Sequence, residues 1–171
     1  KLNSSIDYED FVPKKYWQVI SFSFGTWQDW DYNWDYASSG LNSDMWVRFH
    51  NWHTISFELG NLFKGFRRGL TRGGPVAKSP TFYRYNIAYR TDRRKNINAF
   101  IRYGNRNAVD GEYDKSIRTG MSLRPNSQWE IEFDVYNKKE FDTDQYVTTI
   151  VDPFAIDTYG SRYLFTDIST N

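Results

Sequence analysis

Apolar and polar side chains alternate one for one along most of this chain, and helical spacing is almost absent. Only an extended backbone turns a period of two into two chemically different faces. Nine strands are expected, at about 15–27, 40–50, 53–62, 81–91, 96–105, 115–124, 128–137, 145–152 and 160–168. One face carries Ile20, Phe22, Phe24, Phe57, Ile87, Tyr89, Ile101, Ile117, Met121, Ile131, Phe133 and Val135. The other carries Ser21, Arg48, Glu58, Arg84, Arg90, Arg102, Arg118, Glu130, Glu132 and Asp134. Each run is about as long as a tilted strand needs to cross a bilayer, roughly 9–11 residues. A water-soluble antiparallel sheet also reads oily on one face and polar on the other, so alternation leaves both open.

The connections narrow the choice. Segments 28–39, 63–80, 106–114 and 138–144 read as long loops, while Asn51-Trp52, Asp92-Arg93-Arg94-Lys95 and Pro125-Asn126-Ser127 read as short turns. Long loops at one end and short turns at the other are how outer-membrane β-barrels are built. The connection at 152–159 is too long for its place in that alternation, and residues 1–14 read as a lead-in. Tyr and Trp recur near strand ends, at Tyr16, Trp17, Trp27, Trp46, Trp52, Tyr103, Trp129 and Tyr163. Amphipathic rings collect in this way at membrane–water interfaces.

Composition closes other routes. Twenty-two Lys and Arg against 21 Asp and Glu leave a formal charge of +1, without the basic excess of a nucleic-acid binder. No Cys is present, so neither a disulfide framework nor a thiolate metal site is available. No run reaches the 18 apolar residues of a helical span. The start, Lys1-Leu2-Asn3-Ser4, lacks the basic and apolar regions of a secretory signal, and the last residues come straight off a strand. The chain is therefore expected to be a piece of something longer.

The chemistry-bearing candidates read as follows. Arg84, Arg90, Arg102 and Arg118, with Glu130, Glu132 and Asp134, are expected to line an interior, Arg118 facing Asp134 and Ser122 facing Glu130. Opposite charges across a strand pair support a sheet. The basic, glycine-rich run Arg67-Arg68-Gly69-Leu70-Thr71-Arg72-Gly73-Gly74-Pro75 lacks the Gly-Lys-Ser/Thr ending of a phosphate cradle. Gly73 and Gly74 are expected to supply positive φ in a turn before Pro75, with anion binding by the three arginines as the alternative. His50 and His53 have no nearby carboxylate to complete a metal set, so no metal site and no cofactor are expected. Paired carboxylates such as Glu130 and Glu132, with Asp134, could serve glycoside hydrolysis, but they read better as interior lining, so no catalytic residue is assigned. Trp27, Trp30 and Trp34 lie in an aromatic stretch suited either to an interfacial girdle and outer loop or to stacking on sugars.

Five short motifs, in order, resemble the C-terminal barrel region of a Bacteroidota envelope family of unknown function. They are Leu70-Thr71-Arg72-Gly73-Gly74-Pro75, Thr91-Asp92-Arg93-Arg94-Lys95, Leu123-Arg124-Pro125-Asn126, Gln145-Tyr146-Val147 and Ser161-Arg162-Tyr163-Leu164-Phe165-Thr166-Asp167-Ile168. In that family a carbohydrate-binding, family-9-like module precedes a large outer-membrane β-barrel. The resemblance implies that Arg72, Gly73, Gly74 and Pro75 sit in a family loop, and that more barrel strands follow Arg162, Tyr163 and Phe165. The expectation is thus an all-β, antiparallel transmembrane β-barrel fragment in a Gram-negative outer membrane, acting as a passive pore or scaffold. Its expected partners are the lipid bilayer, the remaining strands of the parent chain, and other envelope proteins or glycans, with no nucleic acid. The rival from another class is a soluble β-sandwich that binds carbohydrate through Trp27, Trp30 and Trp34.

Overall fold

The computed structural model describes residues 1–32, 34–67 and 69–170. Eleven strands follow in chain order: β1 (Leu2–Asp10), β2 (Trp17–Trp30), β3 (Tyr36–Phe49), β4 (Thr54–Leu62), β5 (Gly65–Arg67), β6 (Ala77–Ser79), β7 (Phe82–Arg90), β8 (Ile97–Ala108), β9 (Tyr113–Asn126), β10 (Trp129–Val151) and β11 (Ser161–Thr170). One short 3₁₀ turn, Ile156–Thr158, precedes β11. Nine strands form a single antiparallel sheet in the order β1-β2-β3-β4-β7-β8-β9-β10-β11, and β5 and β6 form a separate hairpin. Sequential neighbours pair throughout the large sheet, and its two outer strands, β1 and β11, pair on one side only.

The register carries the alternation from strand to strand. Tyr8, Phe22, Met45, Phe57, Ile87, Tyr103 and Ile117 follow one another across seven strands. The next row on that face runs Ile20, Val47, Ile55, Tyr89, Ile101, Thr119 and Val135. One step away, on the opposite face, the row reads Asp7, Ser23, Asp44, Glu58, Asn86, Gly104, Ser116 and Lys138. A slip of one residue would exchange the faces, so matching rows over this many strands specify the pairing strongly.

The oily face is bare. Phe22 is 42% exposed, Ile87 47% and Phe133 58%, and among the described residues the only buried hydrophobic side chain is Phe82. No second sheet covers this face, so the two-layer core that a β-sandwich requires is absent among the described residues.

The polar face is crowded. Gly25, Gly40, Gly60, Gly104 and Gly120 all lie on it, and a Cβ at each would meet a neighbouring side chain at 2.3–2.8 Å. Gly120 makes room for the ring of Phe100, Gly40 for the indole of Trp27 and Gly60 for Arg84. Side chains from six adjacent strands, β3, β4 and β7 to β10, line one cavity on this face. The sheet therefore curls with its polar side inward.

Several sequence expectations are corrected. Residues 1–14 are not merely a lead-in, because β1 pairs with β2 from Leu2 to Asp10. The loop expected at 138–144 does not exist, and the two strands placed around it are the single strand β10. That polar run looks like a loop but contains no Gly or Pro to turn the chain, and two bulges, between Asp142 and Gln145 and between Tyr146 and Thr148, absorb the change of phase. With one loop fewer, the connection at 152–160 falls at the same end of the sheet as 63–81, which removes the anomaly in the alternation. The expected long loops at 28–39 and 106–114 shrink to 31–35 and 109–112 because β2, β3, β8 and β9 run on. These are no longer than the 11–16 and 91–96 connections at the other end, so the expected contrast of long loops and short turns holds only at 63–81 and 152–160.

Candidate functional site

The cavity on the concave polar face has a volume of about 690 Å³. The sequence-derived lining set assembles there except for Arg84: Arg90, Arg102, Arg118, Glu130, Glu132 and Asp134 all line it. Arg84 lies on the same face, over Gly60.

Strand pairing sets the contacts. Arg118 Nε donates to Asp134 Oδ1 and Oδ2 at 3.0 and 2.9 Å. Glu130 Oε1 accepts from Ser122 Oγ and from Arg124 Nε, both at 2.8 Å. These partners do not sit opposite one another as expected. Asp134 is across from Gly120, and Arg118 is across from Tyr136. The turn causes the offset: Asn126 Oδ1 accepts from the amides of Gln128 and Trp129 at 3.0 and 3.1 Å, and a bulge follows between Trp129 and Ile131. The ion pair survives because diagonal neighbours remain within reach of long side chains.

The expected lining set leaves out Glu58, Phe100, Trp46 and Arg93, of which the expected charged face includes only Glu58. Glu58 on β4 accepts from Arg102 Nη2 at 3.1 Å and from Asn86 Nδ2 at 2.8 Å. Phe100 lies under two guanidiniums, Arg90 at 5.3 Å and Arg118 at 5.9 Å from its ring centre. Trp46 and Arg93 also line the cavity. Parity along β3 and β8 places Trp46 and Phe100 with the arginines, a signal that hydrophobicity conceals.

The short-turn end is tied down by charge and aromatic rings. Arg94 donates through Nε and Nη2 to the two oxygens of buried Asp92, at 2.9 and 2.8 Å. Its guanidinium lies 3.7 Å from the ring centre of Trp52, with Arg48 5.3 Å from the same ring. The Arg94 guanidinium holds the Asp92 carboxyl down at about 2. His50 Nε2 meets the Lys14 carbonyl at 2.6 Å and His53 Nδ1 the Tyr89 hydroxyl at 2.5 Å, so both histidines serve turns.

At the other end the β5–β6 hairpin lies beside the sheet. Arg67 stacks 5.3 Å from the ring centre of Phe82 and pairs with Glu112 and Asp144 at 3.3 and 3.5 Å. Glu112, Asp110 and Asp144 bring three carboxylates within 4.8 Å of one another. Burial raises the Glu112 carboxyl, with Arg67 acting against that shift. Arg72 lies over the Tyr146 ring at 4.8 Å. Of the three arginines named for anion binding, Arg67 is paired with two carboxylates and Arg72 stacks on Tyr146, so these two do not converge on a shared cradle among the described residues, and Arg68 lies outside them. Positive φ falls at Arg72 and Gly73, not at Gly74; Gly74 instead packs so closely on Tyr163 that a Cβ would sit 2.2 Å from its hydroxyl. Pro75 accepts from Thr71 Oγ1 at 2.8 Å.

The three candidate stacking tryptophans do not share a platform. Trp27 lies against Gly40 on the polar face, with Lys1 5.7 Å from its ring centre. Trp30 and Trp34 pair at 6.4 Å by the 31–35 connection. Comparison with protein-family models, with curated proteins and with solved structures finds no match to this chain.

Proposed function

We propose that this chain is a section of a transmembrane β-barrel in a Gram-negative outer membrane, of the Bacteroidota envelope family its motifs resemble, serving as a passive pore or scaffold. The observation that carries the reading is the bare oily face, which runs across the sheet while the charged face curls inward. Soluble monomers rarely expose an apolar surface of this extent, whereas a barrel wall needs one toward lipid and a polar one toward its lumen. Among the described residues no helix is long and apolar enough to cross a membrane, and the barrel reading assigns the crossing to the strands.

Closure then requires further strands. An open edge in hydrocarbon leaves amides unpaired at several kcal/mol each, and β1 and β11 both have open sides. Nine is odd, and single-chain bacterial barrels have even strand numbers, so the rest of the parent chain supplies at least one more. The test is electrophoretic mobility of the full-length protein from isolated outer membranes, with and without boiling. A heat-dependent shift is expected; no shift, with release by carbonate, would overturn the reading.

A further inference from the structure

The charges of the cavity do not cancel, and the excess is localised. Five arginines line it, Arg90, Arg93, Arg102, Arg118 and Arg124, against Glu130, Glu132 and Asp134. Arg118 is satisfied by Asp134, Arg124 by Glu130 and Arg102 by Glu58. Among the described residues Arg90 and Arg93 have no carboxylate, and neither has Arg48, which lies 4.8 Å from the ring centre of the cavity residue Trp46. Glu132 is the one lining carboxylate without a cationic partner among the described residues, which leaves the cations in excess.

Fixed neighbours bear on the Arg90 side chain and on the Arg93 backbone. Half-buried Arg90 lies with its guanidinium carbon 5.3 Å from the ring centre of Phe100, and without a carboxylate among the described residues its planar fork keeps an edge of N–H donors for a ligand. Such an edge matches the paired oxygens of a phosphate or carboxylate. Arg93 is anchored through its backbone, since its carbonyl accepts from Arg124 Nη1 at 3.3 Å. The volume, about 690 Å³, lies within the usual span for small-molecule sites, roughly 300–1,000 Å³.

We infer that this cavity is a binding site for a small multivalent oxyanion, with Arg90 and Arg93 as its principal ligands and Phe100 as the platform that orients Arg90. The inference rests on the barrel reading, because only a sheet curled away from lipid keeps this face in water. It names the solute class that the lumen wall engages.

The experiment is calorimetric titration of the full-length protein in detergent micelles with inorganic pyrophosphate at fixed ionic strength. Saturable binding is expected, weakened at least tenfold in Arg90→Gln/Arg93→Gln and changed less than twofold in Arg84→Gln, which alters a guanidinium outside the cavity. Heat-dependent mobility is recorded for each protein. Should the double glutamine variant lose that shift, Arg90→Lys/Arg93→Lys takes its place, and a severalfold loss is expected because an ammonium cannot offer the two-pronged edge. Absence of saturable binding by the parent protein, an equal effect of sodium chloride, or unchanged affinity in the variants would overturn the site. A parent protein that binds pyrophosphate without any heat-dependent shift would instead overturn the barrel reading alone.

Discussion

Five glycines on one face decide how tightly the sheet can curl. At Gly120 a side chain would collide with Phe100, the ring that supports Arg90 and Arg118. Gly120→Val should therefore destabilise the protein by about 1–3 kcal/mol, the usual cost of overpacking. Gly69→Ala, where nothing lies within 4 Å, should stay within about 0.5 kcal/mol. Urea unfolding in micelles compares the two. Asp92 and Glu112 make opposite predictions with pH. Asp92 titrates at about 2 in the fold, below its ordinary 3.8, so its stabilisation is complete above that ordinary value and disappears as pH falls toward 2. Glu112 is raised by burial, so folding favours its protonated form and its contribution weakens as pH rises through the folded value. Carboxyl NMR titration should place the two on opposite sides of the normal carboxylate range. Swapped positions would show that the Asp92–Arg94 pair or the burial of Glu112 is wrong.

At the scale of the strand, faces and registers carry the consequences. Ile87 and Asn86 are adjacent on β7 and point to opposite sides; Asn86 donates to Glu58, while Ile87 belongs to the apolar row. Ile87→Arg should cost about 2–4 kcal/mol and impair insertion, the expected penalty for arginine in mid-bilayer. Asn86→Arg keeps a carboxylate partner and should insert normally. Efficient insertion of both variants would count against lipid contact on the Ile87 face. Much of this level was legible from the residues, because alternation assigns faces without knowledge of partners. The expected nine strands equal the nine of the large sheet, but the members differ: β1 is too polar to show the alternation, and β10 is continuous through a charged stretch at 138–144 that lacks it. Edge pairing to β2 and two bulges hold those segments extended, and neither leaves a mark in hydrophobic periodicity.

For the molecule as a whole, the decisive features are two open edges and one uncovered face. If further strands of the parent chain close the sheet, amides along the outer sides of β1 and β11 should exchange quickly in residues 1–171 alone and slowly in the full-length protein. Hydrogen exchange read by mass spectrometry provides the comparison, and equal protection in both would show that nothing pairs with these edges. The β5–β6 hairpin adds a tertiary tie of the same scale, joining the β4–β7 connection to β10 and β11 through Arg67, Arg72 and Gly74.

By itself the sequence determined the all-β class, the identity of the two faces and most of the charged lining, because side-chain direction in a strand depends only on parity. The tertiary structure decided the rest: that among the described residues the oily face meets no second layer, that the polar face is the concave one, and which arginines have no carboxylate there. Those outcomes depend on which strands become neighbours and on a turn that shifts the β9–β10 register by two residues. Distances across a sheet are set by pairing, and parity along a single strand carries no information about it.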